Sequence, residues 1–198
     1  MENRNQSGMT LVELLVAIVM FGIILTAVYS VFRVHNLMAA KQEETTLMQQ
    51  ELLATVVQIS EDLRMCGYTP SSGGNFGFGD INGILATNAT SVYCNSTDGD
   101  TAYRLNVQTD GTVQSPPDNV LKVYNASGQW EQAAINISDL RFTYLDSDGN
   151  VIADPSTNPG SIRIVQITAT AIPSPERSAL GINSRTMTTS VYCRNLGL

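Results

Sequence analysis

The sequence predicts an α+β fold, one long amino-terminal helix packed on an antiparallel β-sheet domain, and three observations carry that expectation. Residues 9–32 are apolar but for Thr10, Glu13, Thr26 and Ser30. Beyond Phe32 there is neither Pro nor Gly until Gly67, while Leu37, Met48, Leu52, Val56, Ile59 and Leu63 recur mostly at three- and four-residue steps. That spacing is the mark of an amphipathic helix. After Asn88 come short β-type runs bounded by Gly, Asn, Asp and Pro, with no helical period between them, and strands in direct succession pair antiparallel.

Taken in order, the apolar run is long enough to span a membrane, since about 20 such residues at 1.5 Å each cross the hydrocarbon core. A removable secretory signal would be shorter and end in a small-residue cleavage site. Here Phe32 runs on into Arg33, Val34, His35 and Asn36, which predicts a retained helix. Arg33 and Lys41 on one side rival Arg4 on the other, so the positive-inside rule gives no clear orientation. One continuous helix from Met9 to about Met65 would be about 85 Å long. Its first half is too apolar for water; its second sets one apolar stripe against Glu43, Glu44, Gln49, Gln50, Glu61 and Asp62. The stretch Cys66-Gly67-Tyr68-Thr69-Pro70 ends it, with Gly at the C′ position and Pro just beyond.

Residues 71–87 are glycine-rich and read as an irregular loop. Strand-like runs follow at 90–94, 102–108, 119–125, 137–145, 161–172 and 186–193. Leu140, Phe142 and Tyr144 alternate with Arg141, Thr143 and Leu145, the pattern of a half-buried strand. It enters a turn at Asp146-Ser147-Asp148-Gly149-Asn150, from which Val151-Ile152 leads out. In SIRIVQITATAI the alternation set by Ile162 and Ile164 slips one step to Val165, Ile167, Ala169 and Ala171; a β-bulge near Ile164-Val165, or burial of both faces there, accounts for the slip. The domain division is therefore 1–8 leader, 9–66 helix with 9–32 in the membrane, and 67–198 β-rich head.

Eighteen acids against eleven Lys and Arg give a net charge of −7. No basic run is present to contact phosphates, which argues against a nucleic-acid partner. His35 is the only histidine and has no partner residue in sequence to orient it as a general base, so Ser-His-Asp and Cys-His systems fall with it. The Asp146 turn does not hold the glycine and glutamate of a calcium loop at their required positions. The reading is a non-enzymatic chain with no metal site and no cofactor. Cys66, Cys94 and Cys193 lack any short C-x-x-C spacing, and an oxidising compartment would give one disulfide and one free thiol. Thr90-Ser91-Val92-Tyr93-Cys94 echoes Thr189-Ser190-Val191-Tyr192-Cys193. Two strands of similar burial would place Cys94 and Cys193 at equivalent strand ends, which points to that pair, with Cys66 free or an alternative partner.

Glu13 is the anomaly. A carboxylate near the centre of a spanning helix costs about 2.5–3.5 kcal/mol on insertion scales, less near an interface. The pattern around it, G-M-T-L-V-E-L-L after a short hydrophilic leader, resembles the class III leader of type IV pilins and their relatives. That resemblance implies cleavage by prepilin peptidase between Gly8 and Met9 on the cytoplasmic side, and N-methylation of Met9. Glu13 would then be the fifth residue of the mature chain, an assembly contact for the cationic amine of a neighbouring subunit. Paired charges in apolar surroundings are tolerable where isolated ones are not.

DLRMCGYTP, DLRFTYLDSDGNVI, SIRIVQITATAI and SRTMTTSVYCRNLGL together resemble the minor pilins of the PilW type, which usually carry Ala where Cys66 stands here. The resemblance implies a pilin-like fold and a low-abundance subunit that helps initiate pilus assembly near the fibre tip. Its implied partners are other pilin subunits, reached through the helix, the peptidase and the inner membrane. The chain would be stored there as a single-pass protein before entering the fibre, its head periplasmic or extracellular. A minor pseudopilin of a type II secretion system and a tip-displayed adhesin are the alternatives.

Overall fold

The computed structural model describes residues 9–68, 77–79, 87–96, 99–108 and 110–196. A single helix, α1 (Leu11–Met65), leads the chain. The chain divides into two units, Met1–Glu43 and Glu44–Leu198. In the first, every large apolar residue from Met9 to Val34 is at least half exposed. An all-round apolar helix without burial is a membrane-type helix rather than a core one. Leu37 belongs to this exposed part and not to the packed stripe with which its spacing grouped it.

In the second unit the helix is amphipathic. Met48, Leu52, Val56, Ile59 and Leu63 are all buried, one stripe at the anticipated spacing. The strands are β1 (Gly77–Phe78), β2 (Ser91–Ser96), β3 (Gly99–Leu105), β4 (Leu121–Tyr124), β5 (Trp130–Ala134), β6 (Ile137–Leu145), β7 (Ile164–Ala171) and β8 (Arg185–Tyr192). They form two antiparallel sheets in meander order, β1-β2-β3-β4-β5 and β6-β7-β8. β1 falls within the glycine-rich stretch expected to be a loop, most of which lies outside the described residues. β5, WEQAA, has no period-2 alternation to reveal it.

Leu140, Phe142 and Tyr144 face inward from β6 as their alternation requires, and join the helix stripe, Val165, Ile167 and Val191 in one core. The phenol of Tyr144 lies 3.0 Å from the Asn88 carbonyl and 3.1 Å from that of Ser91, and the Phe142 N–H donates to the Ala89 carbonyl at 2.9 Å. These bonds stitch β6 to the chain entering β2. On the other face of β2 and β3, Tyr93 and Ala102 pack with Val107 and Trp130.

The slip in SIRIVQITATAI is not a bulge at Ile164-Val165. β7 keeps register with β8 along its whole length, Ile164–Ala171, and with β6 from Ile164 to Thr170. The one register shift in this sheet lies on β6, between Ile137 and Asp139. Ile162 precedes the strand and is fully buried, while Ile164 sits half-buried on the outward face. Two different environments produced the apparent break in period. The turn at Asp146 forms as expected. Its carboxylate accepts the N–H groups of Asp148 and Asn150, both at 2.9 Å, and Gly149 takes φ 83°. Those bonds hold the acid below the ordinary carboxylate range.

The cysteine pairing differs from the expected one. Cys66 and Cys94 form the disulfide, with Cα atoms 5.5 Å apart, and Cys193 is free and buried. The echoed pentapeptides lie in different sheets and differ in burial: Ser91–Cys94 is buried throughout in β2, whereas Ser190 and Tyr192 on edge strand β8 are exposed. Cys94 lies within β2 and Cys193 just past β8, so similar sequence does not bring them to equivalent places. What joins Cys66 to Cys94 is the helix end: the Gly67 N–H donates to the Asn95 carbonyl at 3.2 Å. Gly67 takes φ 74°, and a Cβ there would meet Leu196 Cδ2 at 2.6 Å. Glycine at C′ therefore both ends α1 and admits the carboxyl-terminal turn.

Candidate functional site

Residues 10–13 read T-L-V-E, and the structure uses them as a helix start. Thr10 Oγ1 accepts the N–H of Glu13 at 3.3 Å, and the Thr10 carbonyl accepts the N–H of Leu14 at 3.2 Å. Thr10 is thus the N-cap, satisfying one of the donors that every helix leaves unpaired at its first turn. Glu13 falls at N3, where a carboxylate is favoured by the positive end of the helix dipole. This T-x-x-E signature was readable in the sequence and supplies the local reason for an acid so early in the run.

The aliphatic hydroxyls further along the apolar segment are also accounted for. Thr26 donates its hydroxyl to the Gly22 carbonyl at 2.9 Å, and Ser30 donates to that of Ala27 at 2.8 Å. Such back-bonding lets hydroxyls sit in an apolar environment without exposing a bare polar group. The Glu13 carboxylate is different: its side chain is exposed and has no partner among the described residues. By length and composition the segment can cross a membrane, and none of its most apolar stretch is buried. An acid with no partner among the described residues, in a segment otherwise largely apolar, is a group that calls for an opposite charge.

Residues 3–29 match the family described as the prokaryotic N-terminal methylation motif. No curated protein and no solved structure matches the chain. The amino-terminal segment is prepilin-type, and with one long helix followed by antiparallel sheets the chain has a pilin-like layout. The motif implies processing by prepilin peptidase and assembly with other pilins, and it points to a structural subunit rather than an enzyme. The apolar helix is consistent with membrane anchoring followed by incorporation into a fibre.

Of the residues singled out in the sequence, Gly8 lies outside the described residues, and Met9 is the first of them, 69% exposed. Met9 and Glu13 stand at one end of the chain; Cys66 and Cys94 are joined at the other end of α1, and Cys193 is buried apart from that bond. His35 is an exposed helix residue. Among the described residues no group of three or more His, Cys, Asp or Glu converges as a metal site would require.

Two features of the second unit escaped the sequence. Glu44 is 5% exposed, accepts the Ser174 N–H at 2.6 Å and lies 3.6 Å from the Arg177 guanidinium. Tyr103 donates its phenol to Asp62 across the core, from β3 to the helix. Glu44 reads as one more polar-face residue of α1, and nothing local to Tyr103 signals a partner that distant in sequence.

Proposed function

We propose that the chain is a minor type IV pilin of the PilW type. Prepilin peptidase cuts it between Gly8 and Met9 and methylates Met9. The mature protein is held in the inner membrane by residues 9–32, with the domain 67–198 on the far side, until its helix enters a fibre. There Glu13 takes up the cationic amine of a neighbouring subunit, and the protein helps to start assembly near the tip.

What supports this most is the Glu13 carboxylate, without a partner among the described residues in an apolar segment where Thr10, Thr26 and Ser30 are engaged and which matches the methylation motif. Burying an acid costs much less when an amine accompanies it. The experiment is Glu13→Gln in the native host. Mass spectrometry should still find a methylated Met9 terminus on the variant, while the sheared-fibre fraction should lack it. Full incorporation of the variant would overturn the reading. A minor pseudopilin would give the same result at Glu13, and deleting the gene separates the two: loss of surface fibres marks a pilus subunit, loss of secretion with fibres intact a secretion-system one.

A further inference from the structure

Arg64, in the last turn of α1, and Arg194, near the carboxyl end, line one groove of about 590 Å³. Its walls are the last turn of α1 with Tyr68 just beyond, the outward side chains Ser190 and Tyr192 at the end of β8, and the turn carrying Arg194 and Asn195. Asn195 donates its side-chain amide to the Arg64 carbonyl at 3.1 Å, which fixes that turn on the helix end. Gly67, at φ 74°, leaves room there for the Leu196 side chain, whose Cδ2 would lie 2.6 Å from a Cβ at that position.

The groove is basic on an acidic chain. The chain carries a net charge of −7, yet no acid is among the described residues that line the groove. Neither guanidinium has an ion-pair partner among the described residues. Tyr192 is 66% exposed and Tyr68 41%. A cation at a helix carboxyl end is ordinary, because it meets the negative pole of the dipole; that accounts for Arg64. It does not account for Arg194, or for two solvent-exposed tyrosine rings beside it.

We propose that this groove binds an acidic sugar, a pyranose ring bearing a carboxylate, at the end of a glycan. Guanidinium forks match carboxylates bidentately and bind them as charge-assisted hydrogen bonds. Tyrosine offers a flat apolar face and a polar rim, which suits the C–H face and hydroxyls of a sugar, and Ser190 and Asn195 supply short hydrogen-bonding groups. The volume is that of a small-ligand site. An acidic peptide carries its carboxylates on flexible stems with no ring face to stack. A nucleic acid needs a longer track of cations, and an acidic head repels a polyanion. A single acidic ring presents the charge and the flat face in one rigid body.

The test uses the full chain in detergent micelles, with binding read by saturation-transfer NMR. Sialyllactose should bind and lactose should not. Arg64→Gln and Arg194→Gln should each weaken sialyllactose binding by about tenfold, and Tyr192→Ala should weaken it as well. Arg141→Gln, two strands away and paired with Asp139, should leave it unchanged, which separates the groove from net charge. Circular dichroism melts confirm that each variant is folded. The proposal is overturned if sialyllactose does not bind the unaltered chain, if lactose binds equally, or if the folded Arg64 and Arg194 variants bind as well as the parent. Tighter binding of hexaglutamate or of a short oligothymidylate would overturn it in favour of a peptide or a nucleic acid. The groove lies wholly within residues 44–198, so either result leaves the assembly role of Glu13 standing.

Discussion

Tyr103 donates its phenol to the carboxylate of Asp62, a bond that ties β3 to α1 over 41 residues of sequence. Burial of Asp62, with Glu61 adding repulsion, lifts its acid above the ordinary value of 3.8, and the Tyr103 bond partly offsets the rise. The phenol is itself pushed far up by burial and by the carboxylate it faces, so it stays a donor at every physiological pH.

Removing that donor with Tyr103→Phe should cost about 2 kcal/mol at neutral pH, the range for a hydrogen bond to a charged group. The pH dependence follows from the direction of the shift. A carboxyl raised in the folded state binds more protons folded than unfolded, so stability falls as pH climbs from the ordinary Asp value through the folded one. Without the phenol Asp62 rises further, and the deficit of the variant should widen with pH. Denaturant titrations of parent and variant between about pH 3 and pH 7 check this; a deficit that narrows toward neutrality would refute it.

The disulfide gives a second expectation. Cys66 and Cys94 are 28 residues apart, and closing a loop of that size is worth about 3.5 kcal/mol in the chain-entropy account. Cys66→Ser or Cys94→Ser should lose roughly that much by unfolding titration, whereas Cys193→Ser should lose only about 1 kcal/mol. Alkylation of the unfolded, unreduced chain should label Cys193 alone. In the folded chain that thiol should resist, since burial pushes it up to about 12 against the opposing pull of Arg163. Labelling of Cys66 in the unreduced chain would contradict the pairing.

Glu44 supplies a third. Its carboxylate is buried between the Ser174 N–H and the Arg177 guanidinium. Glu44→Ala takes this acceptor from the Ser174 N–H and removes the ion pair, for a loss of about 2 kcal/mol. Arg177 is a third exposed, so its share is screened by water. Glu44→Gln keeps an acceptor for Ser174 and should lose less than half as much. Thermal melts of the three proteins order them.

At the amino terminus, Thr10 and Glu13 can be separated. Thr10→Val removes the Oγ1 acceptor and should weaken the helix start by about 1 kcal/mol, but leave fibre incorporation near the parental level. Glu13→Gln should abolish it. Equal failure of both variants in the sheared-fibre fraction would mean that Glu13 acts only as part of the helix cap.

The helix was legible because its pattern is local and long: one stripe from Met48 to Leu63 and one unbroken apolar run before it. β6 was legible because Leu140, Phe142 and Tyr144 face a core while Arg141 faces water. β5 was not, since Trp130 and Ala134 are buried with nothing alternating between them. The disulfide was misread because identical pentapeptides entered different sheets, and neighbourhood in space is set by the Gly67 turn rather than by sequence likeness. The same limit hid the pairing of Arg64 with Arg194. No linear count of basic residues detects two arginines that meet only when the carboxyl-terminal turn closes on the helix end.

Because the chain is cross-linked just past α1 to β2, tension applied along the helix axis passes directly into the second strand of the five-stranded sheet. The packed stripe need not carry that load by itself, and the last turn cannot peel away first. Reduced protein would yield by unzipping from that end, at a force set by side-chain packing and by hydrogen bonds such as those of Gly67 to Asn95 and Asn195 to Arg64.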